Sequence, residues 1–419
     1  MKKIIVLGAG PAGVSCAIGL KSLNYEVLLI SKRRPFEAIE GFSHRTIEGL
    51  QRAKCFNALA AIKEQVPRVV TWNNKKTKQN FEFVVNRKEF DEALIKDAKE
   101  HKIKVIEKAG RISNINNITI IVDKKEIKAD FIVDARGRFC PRKTSNKSKS
   151  TIAHIVKSNY LKNHKTQTTL YTQKKAWIWE AKIENELNYL QVVTDENEKE
   201  YLKKILEING FNQDTKVYKR DASSYLSKDF ISSNYLKIGD AACSVDPLSG
   251  NGVFQALSTA LISPYVVHTL LEGKEEDKTA AKEFFSQRVN DIFYRYARMG
   301  REFYSNELQF NTSFWIDRGK WPDKIDSHNT DEDFEVYIEK KAILIAPFIK
   351  ANEVVITKDQ PMGIWRMGRI NLVNIVKELF KFSYEKRKKE LQNLSDELLL
   401  SIEETKFLFN WCLENKLIK

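Results

Sequence analysis

The feature that most restricts the fold stands at the start of the chain. Lys3–Leu7 (KIIVL) is an apolar run of buried-strand type, followed at once by Gly8-Ala9-Gly10-Pro11-Ala12-Gly13. Residues 14–23 then read as a helix, and residues 25–30 (YEVLLI) as a second strand. Glycines in a strand-to-helix turn each have a separate use. The first permits the tight turn, the second leaves room for a pyrophosphate, and the third lets helix pack on strand. This is a βαβ unit with a phosphate loop in its proper place. An acidic residue ordinarily ends the second strand and holds a ribose; here Ser31 and Lys32 stand there, and a serine hydroxyl makes a weaker hydrogen bond than a carboxylate.

A second stretch, GDAACSVDPLSGNGVFQAL at 239–257, has matching logic. Residues 235–238 form a short apolar strand end, Asp246-Pro247 marks a turn, and a helix begins near Gly252 or Val253. Ser249-Gly250-Asn251-Gly252 allows backbone to approach something flat, and the helix behind it points N–H groups and a positive dipole end at that object. A ring that gains negative charge on reduction, a flavin, suits such a site. An ordinary strand–loop–helix connection would read the same taken alone; paired with the N-terminal motif, the flavin reading is the better one.

The 419 residues suffice for two or three domains or one elaborated enzyme. Five scattered cysteines without CxxC spacing argue for a reducing compartment and against a structural zinc or disulfide framework, and six dispersed histidines give a metal site little support. The basic, apolar N-terminus could pass for a signal peptide, but its glycines sit where a phosphate loop needs them. No apolar run approaches the ~18 residues of a membrane span, and we expect a cytoplasmic protein. The formal charge of +15 comes from lysines spread along the chain, and no nucleic-acid motif accompanies them.

Between the two motifs, Arg45 opens a helix expected to run to about residue 59. Residues 68–72 and 81–85 alternate like a hairpin, Asn86-Arg87 begins a helix, and a strand over 131–133 ends in Asp134-Ala135-Arg136-Gly137-Arg138, a turn suited to face a cofactor. Residues 141–150 are polar and read as a mobile connection. Trp177 and Trp179, two residues apart in a strand, point to one face. Pro264 predicts a kink in a helix over 253–271. Beyond about residue 330, helical segments follow an acidic linker.

In this order, GAGPAG (8–13), Arg45, NRKEFDEAL (86–94), DARGR (134–138) and GDAACSVDPLSGNG (239–252) resemble the FAD-dependent monooxygenases of the aromatic hydroxylase fold and their halogenase relatives, over about residues 1–320. The resemblance implies an α/β protein with three parts. A discontinuous Rossmann-type FAD-binding domain takes residues 1–66, 87–150 and 220–275; an inserted antiparallel β-sheet substrate domain takes 67–86 and 151–219; a mainly helical region takes 276–419. It implies FAD held at the pyrophosphate by Gly8, Gly10, Pro11, Ala12, Gly13 and Arg45, with Ser31 and Lys32 near the adenosine. Asp134 and Gly239 would line the groove, Asp240 would hold the ribityl chain, and Pro247, Gly250, Asn251, Gly252 and Val253 would meet the isoalloxazine. Ser249, Gly250 and Asn251 form the expected reaction loop.

Within that group, Trp177-Ile178-Trp179, the Phe314-Trp315…Arg318 segment and the long tail are similar to flavoprotein maturases that hydroxylate a tryptophan side chain within a protein during quinone cofactor formation. Trp72, Trp179 and Trp315 are the expected aromatic lining of a substrate pocket, although sheet core is the commoner fate of such residues. The implied chemistry is oxygen transfer from a flavin C4a-hydroperoxide to an electron-rich ring of a small molecule, peptide or protein. It uses O2, with NAD(P)H as electron source directly or through a separate flavin reductase.

Halogenases are the nearest alternative. Their WxWxIP pattern is half present, since Glu180-Ala181-Lys182 follows Trp179; Ser249 stands where tryptophan halogenases carry a glutamate, and Lys63 is a poor match to their lysine. A flavin-dependent reductase and a non-catalytic flavin-binding assembly factor share the same FAD motifs and stay open.

Overall fold

The computed structural model describes residues 1–32, 38–63, 65–77, 80–107, 109–110, 112–116, 118–141, 143–158, 165–183, 187–195, 198–212, 214–327 and 333–419. Two compact units emerge, one of residues 1–271 and 289–327, the other of 272–288 and 328–419.

The first unit is built on five parallel strands in the order Tyr235–Lys237, Phe131–Asp134, Lys3–Leu7, Glu26–Ile30, Lys104–Ile106. Ile4, Ile5, Val6 and Leu7 are fully buried, as a strand covered on both faces requires. The helix Pro11–Ser22 starts directly after the glycine turn with Pro11 in its first turn, where a missing N–H costs nothing. Gly19 of this helix sits against Pro264: a Cβ at Gly19 would lie 2.5 Å from the proline Cγ. The helix carrying Pro264 runs unbroken from Gly252 to Glu272. It is the one described helix long and apolar enough to cross a bilayer, and 56% of that window is buried inside the protein.

Beside this layer lies a nine-stranded sheet. Its order is Tyr218–Asp221, Ile152–Ser158, Leu187–Thr194, Ala176–Ile183, Gln167–Gln173, Gln65–Trp72, Asn80–Asn86, Ile39–Phe42, with Lys75–Lys76 pairing onto Gln65–Trp72. Neighbours are antiparallel except Gln167–Gln173 against Gln65–Trp72. Alternation sorts the faces: Trp177, Trp179 and Ala181 enter one apolar cluster, Ala176 and Ile178 another, where Leu202, Ile205 and Leu206 of the helix Lys199–Ile208 cover them.

Several expectations are corrected. The helix expected to run to residue 59 breaks into His44–Arg52 and Phe56–Ala60, because Lys54 turns left-handed at φ 58°. The supposed mobile connection over 141–150 contains the strand Thr144–Lys147, paired with Tyr225–Ser227. The region 276–419 does not stay together, since residues 289–327 pack into the first unit.

The second unit has the helices Leu372–Leu379, Tyr384–Glu397 and Ile402–Glu414, the last opened by a capping box of Ser401 and Glu404. It also has an antiparallel sheet of Tyr337–Ile345, Phe348–Thr357 and Gln360–Ile364 that the helical reading lacked. Its core gathers Leu372, Val376, Leu379, Leu391 and Leu408. All five cysteines are buried and none is in a disulfide.

Candidate active site

Three loops meet at the carboxyl ends of the parallel strands, where open α/β sheets bind ligands. Gly8, at φ +103°, is pressed on Ala135: a Cβ there would lie 2.4 Å from the Ala135 carbonyl oxygen. A Cβ on Gly13 would fall 1.8 Å from the Gly8 oxygen, so the third glycine is demanded by the turn itself. Gly239, at φ +57°, lies against Ala12 and Ala256, and its N–H donates to Thr259 Oγ1 at 2.9 Å. Gly10 differs from these: a side chain there would meet no described atom within 4 Å. The protein thus closes on Gly8, Gly13 and Gly239 and leaves the approach to Gly10 open.

The groove residues divide by role. Arg45, in the first turn of His44–Arg52, is exposed, donates to Tyr296, and stands 6.0 Å from the Phe254 ring centroid. Asp240 is partly exposed with its carboxylate 3.5 Å from Arg138 Nε. Ser31 is buried at the sheet end, its backbone bonded to Ile106 and Ala109, while Lys32 is exposed.

The reading of Asp134 as a cofactor contact does not hold. Its side chain is fully buried and accepts from the Arg136 guanidinium (2.5 Å), Tyr235 (3.0 Å) and Cys140 Sγ (3.2 Å). Asp134 instead fixes the turn that carries Ala135 onto Gly8.

The loop expected to face the ring is held from behind. Pro247–Ser249 forms one 3-10 turn that Gly250 ends in the left-handed region at φ 61°, with Gly250 and Gly252 exposed and Asn251 and Val253 partly so. Leu248 enters the aromatic cluster of Trp177, Trp179, Tyr304, Phe314 and Trp315. Asp246 accepts from the Leu248 N–H (2.9 Å) and from Tyr304 (2.9 Å), whose hydroxyl in turn accepts from Trp177 Nε1 (2.8 Å). Burial lifts the Asp246 carboxyl above its ordinary range against the pull of those donors, and burial beside Asp246 holds the Tyr304 phenol protonated. The side chain of Ser249 lies outside the described residues.

The three tryptophans expected to line a pocket spend their indole N–H groups on neighbouring elements. Trp72 donates to Phe303 O, Trp179 to Glu82, and Trp315 to Gln173 O, while Trp72 and Trp315 meet edge-on at 5.4 Å. Trp315 also borders a cleft of about 340 Å³ with Leu308, Phe310 and Ile316.

Sequence reading missed Arg68 and Glu82 on adjacent strands of the sheet. Arg68 Nη1 stands 3.8 Å from where a Gly250 side chain would begin, and 3.8 Å from Glu82 Oε2. Arg68 Nε and Gln255 Nε2, the latter in the first turn behind the loop, are buried without hydrogen-bond partners. The open approach to Gly10 and these two unspent donors fit a flavin dinucleotide, whose phosphates and ring carbonyls are acceptors. Lys63 is exposed in the segment before Gln65–Trp72. Among the described residues no group of three or more His, Cys, Asp or Glu could hold a metal.

Fold and site define an FAD-dependent oxidoreductase of aromatic hydroxylase architecture. The chain belongs to the tryptophan halogenase family, whose model matches residues 41–335. A tryptophan 2-halogenase of Chondromyces crocatus is 24% identical over 366 residues, 75% of this chain and 70% of that protein. Among solved structures, QhpG, described as a peptidyl tryptophan dihydroxylase essential for tryptophylquinone cofactor biogenesis, superposes with TM-score 0.84 at 32% identity and covers 99% of both chains. The flavin-dependent halogenase CmlS superposes with TM-score 0.72 at 16% identity, over 99% of this chain and 95% of its own.

Proposed function

We propose that the enzyme hydroxylates an electron-rich aromatic ring, a tryptophan side chain presented within a peptide or protein. The observation that carries this reading is the 32% identity with the peptidyl tryptophan dihydroxylase across 99% of both chains, which takes in the second unit as well as the FAD-binding unit. Bound and reduced FAD supplies activated oxygen on meeting O2. The chain's own part is binding and orientation. Gly8 to Gly13 and Arg45 take the pyrophosphate, Asp240 takes the ribityl chain, and Tyr304 with Asp246 fixes the loop under the ring. The packed aromatic cluster keeps water from its underside. NAD(P)H is the source of electrons, by transient docking or through a separate flavin reductase.

Halogenation is the second reading, favoured by the family model and by curated relatives that are halogenases. The two are separated by running the reduced enzyme with O2, a tryptophan-containing peptide and saturating chloride, then reading the product mass. Gains of about 16 per oxygen are expected, whereas a gain of about 34 would assign chlorination. A chlorinated product lost in Lys63→Ala would replace this proposal with the halogenase one.

A further inference from the structure

We propose that Arg68 is a ring-side cation that sets the charge of the flavin pocket, that Glu82 moderates it, and that Trp179 positions Glu82. The inference rests on the FAD reading of the site and not on the identity of the substrate.

The geometry carries it in three steps. Gly250 is exposed and left-handed at the loop expected to face the ring, and apart from its chain neighbours the one described heavy atom within 4 Å of its missing side chain is Arg68 Nη1. Arg68 is not consumed elsewhere. Its ion pair with Glu82 is loose at 3.8 Å, its side chain is 22% exposed, and Nε is buried with no hydrogen-bond partner. A guanidinium is always charged and presents a planar fork of donors, so this one has donors left for an acceptor beside Gly250. Glu82, by contrast, is fixed: it is buried, Trp179 Nε1 donates to it at 3.1 Å, and Gly41 has no side chain because a Cβ would fall 2.1 Å from Glu82 Oε2.

The partner chemistry follows. Hydride transfer from NAD(P)H converts neutral FAD to the anion FADH− and releases NAD(P)+, so the ring gains one negative charge with no further co-reactant. A cation beside the ring favours the anion, and a carboxylate behind that cation partly cancels it. Arg68 and Glu82 therefore pull the reduction equilibrium in opposite directions.

The test is the two-electron midpoint potential of the FAD-loaded enzyme without substrate, measured by reduction against an indicator dye, in Arg68→Met, Arg68→Lys and Glu82→Gln. Arg68→Met is expected to weaken FADH− relative to FAD about tenfold, about 30 mV more negative for a two-electron couple. Glu82→Gln is expected to shift the potential the other way, and Arg68→Lys to stay near the wild type. A purely structural pair would move FAD affinity and thermal stability in the same direction in both charge-removing variants while leaving the potential unchanged. That result, or a shift of one sign in both, overturns the proposal. If Arg68→Met does not fold, Arg68→Lys and Glu82→Gln still decide: Glu82→Gln must raise the potential. Product analysis plays no part, so failure here and failure of the hydroxylation reading are separate outcomes.

Discussion

At the scale of single residues, the glycines of the first turn make different predictions despite sharing one motif. Gly13→Val places side-chain atoms into the Gly8 carbonyl and should lower the melting temperature of the protein even without FAD. A Cβ at Gly10 meets no described atom within 4 Å, so Gly10→Val should fold with near-native stability while failing to retain FAD. Yellow, fully loaded Gly10→Val would end the pyrophosphate assignment. A second residue speaks through pH. His154 is buried between two strands with Nδ1 unpartnered, and burial plus the facing Lys219 lowers its pKa to about 4. Its folded-state pKa lies below its unfolded value of 6.5, so its contribution is present above pH 6.5 and is lost as pH falls toward 4. The loss amounts to roughly 3 kcal/mol at most. Urea titrations at pH 7 and 4.5 should show His154→Leu losing less stability than the wild type; equal losses would remove His154 as a source. Local features, such as the turn at Gly8 and the start of a helix at Asn86-Arg87, were legible in the sequence. Arg68 was not, because the loop it serves lies far along the chain and only the sheet brings them together.

At the scale of elements, the loop of Pro247–Ser249 is tied to a distant helix. Tyr304, near the end of the helix Glu275–Ser305, ties Trp177 of the sheet to Asp246 of the loop. Tyr304→Phe removes the acceptor of the Trp177 indole N–H and one donor to Asp246, at about 1–3 kcal/mol for a buried group that loses its partner. Both melting temperature and FAD affinity should fall, since Asp246 also fixes Leu248. A destabilised variant with unchanged FAD affinity would show that the loop holds its shape alone. The sequence revealed the loop and the helix, but not the hydroxyl between them. Helical periodicity marks which face is buried, not which buried tyrosine meets a carboxylate. The same limit explains the tryptophans. Their alternation placed Trp177 and Trp179 on one face correctly, while only tertiary contacts reveal that their N–H groups are spent on Tyr304 and Glu82.

At the scale of the whole molecule, the parallel sheet and its binding edge were legible because a glycine loop between strand and helix admits few folds. The sheet of the second unit was not, since Tyr337–Ile345 and Phe348–Thr357 carry weak apolar alternation among lysines and glutamates and their pairing is set by neighbours. All five cysteines are buried, and burial raises every thiol; those of Cys55, Cys140, Cys243 and Cys412 are pushed up to about 12. Thiolate, not thiol, is the nucleophile that attacks peroxide. Any hydrogen peroxide released when reduced cofactor meets O2 without substrate would find every cysteine thiol buried and protonated, so idle turnover would spend reductant without oxidising those cysteines.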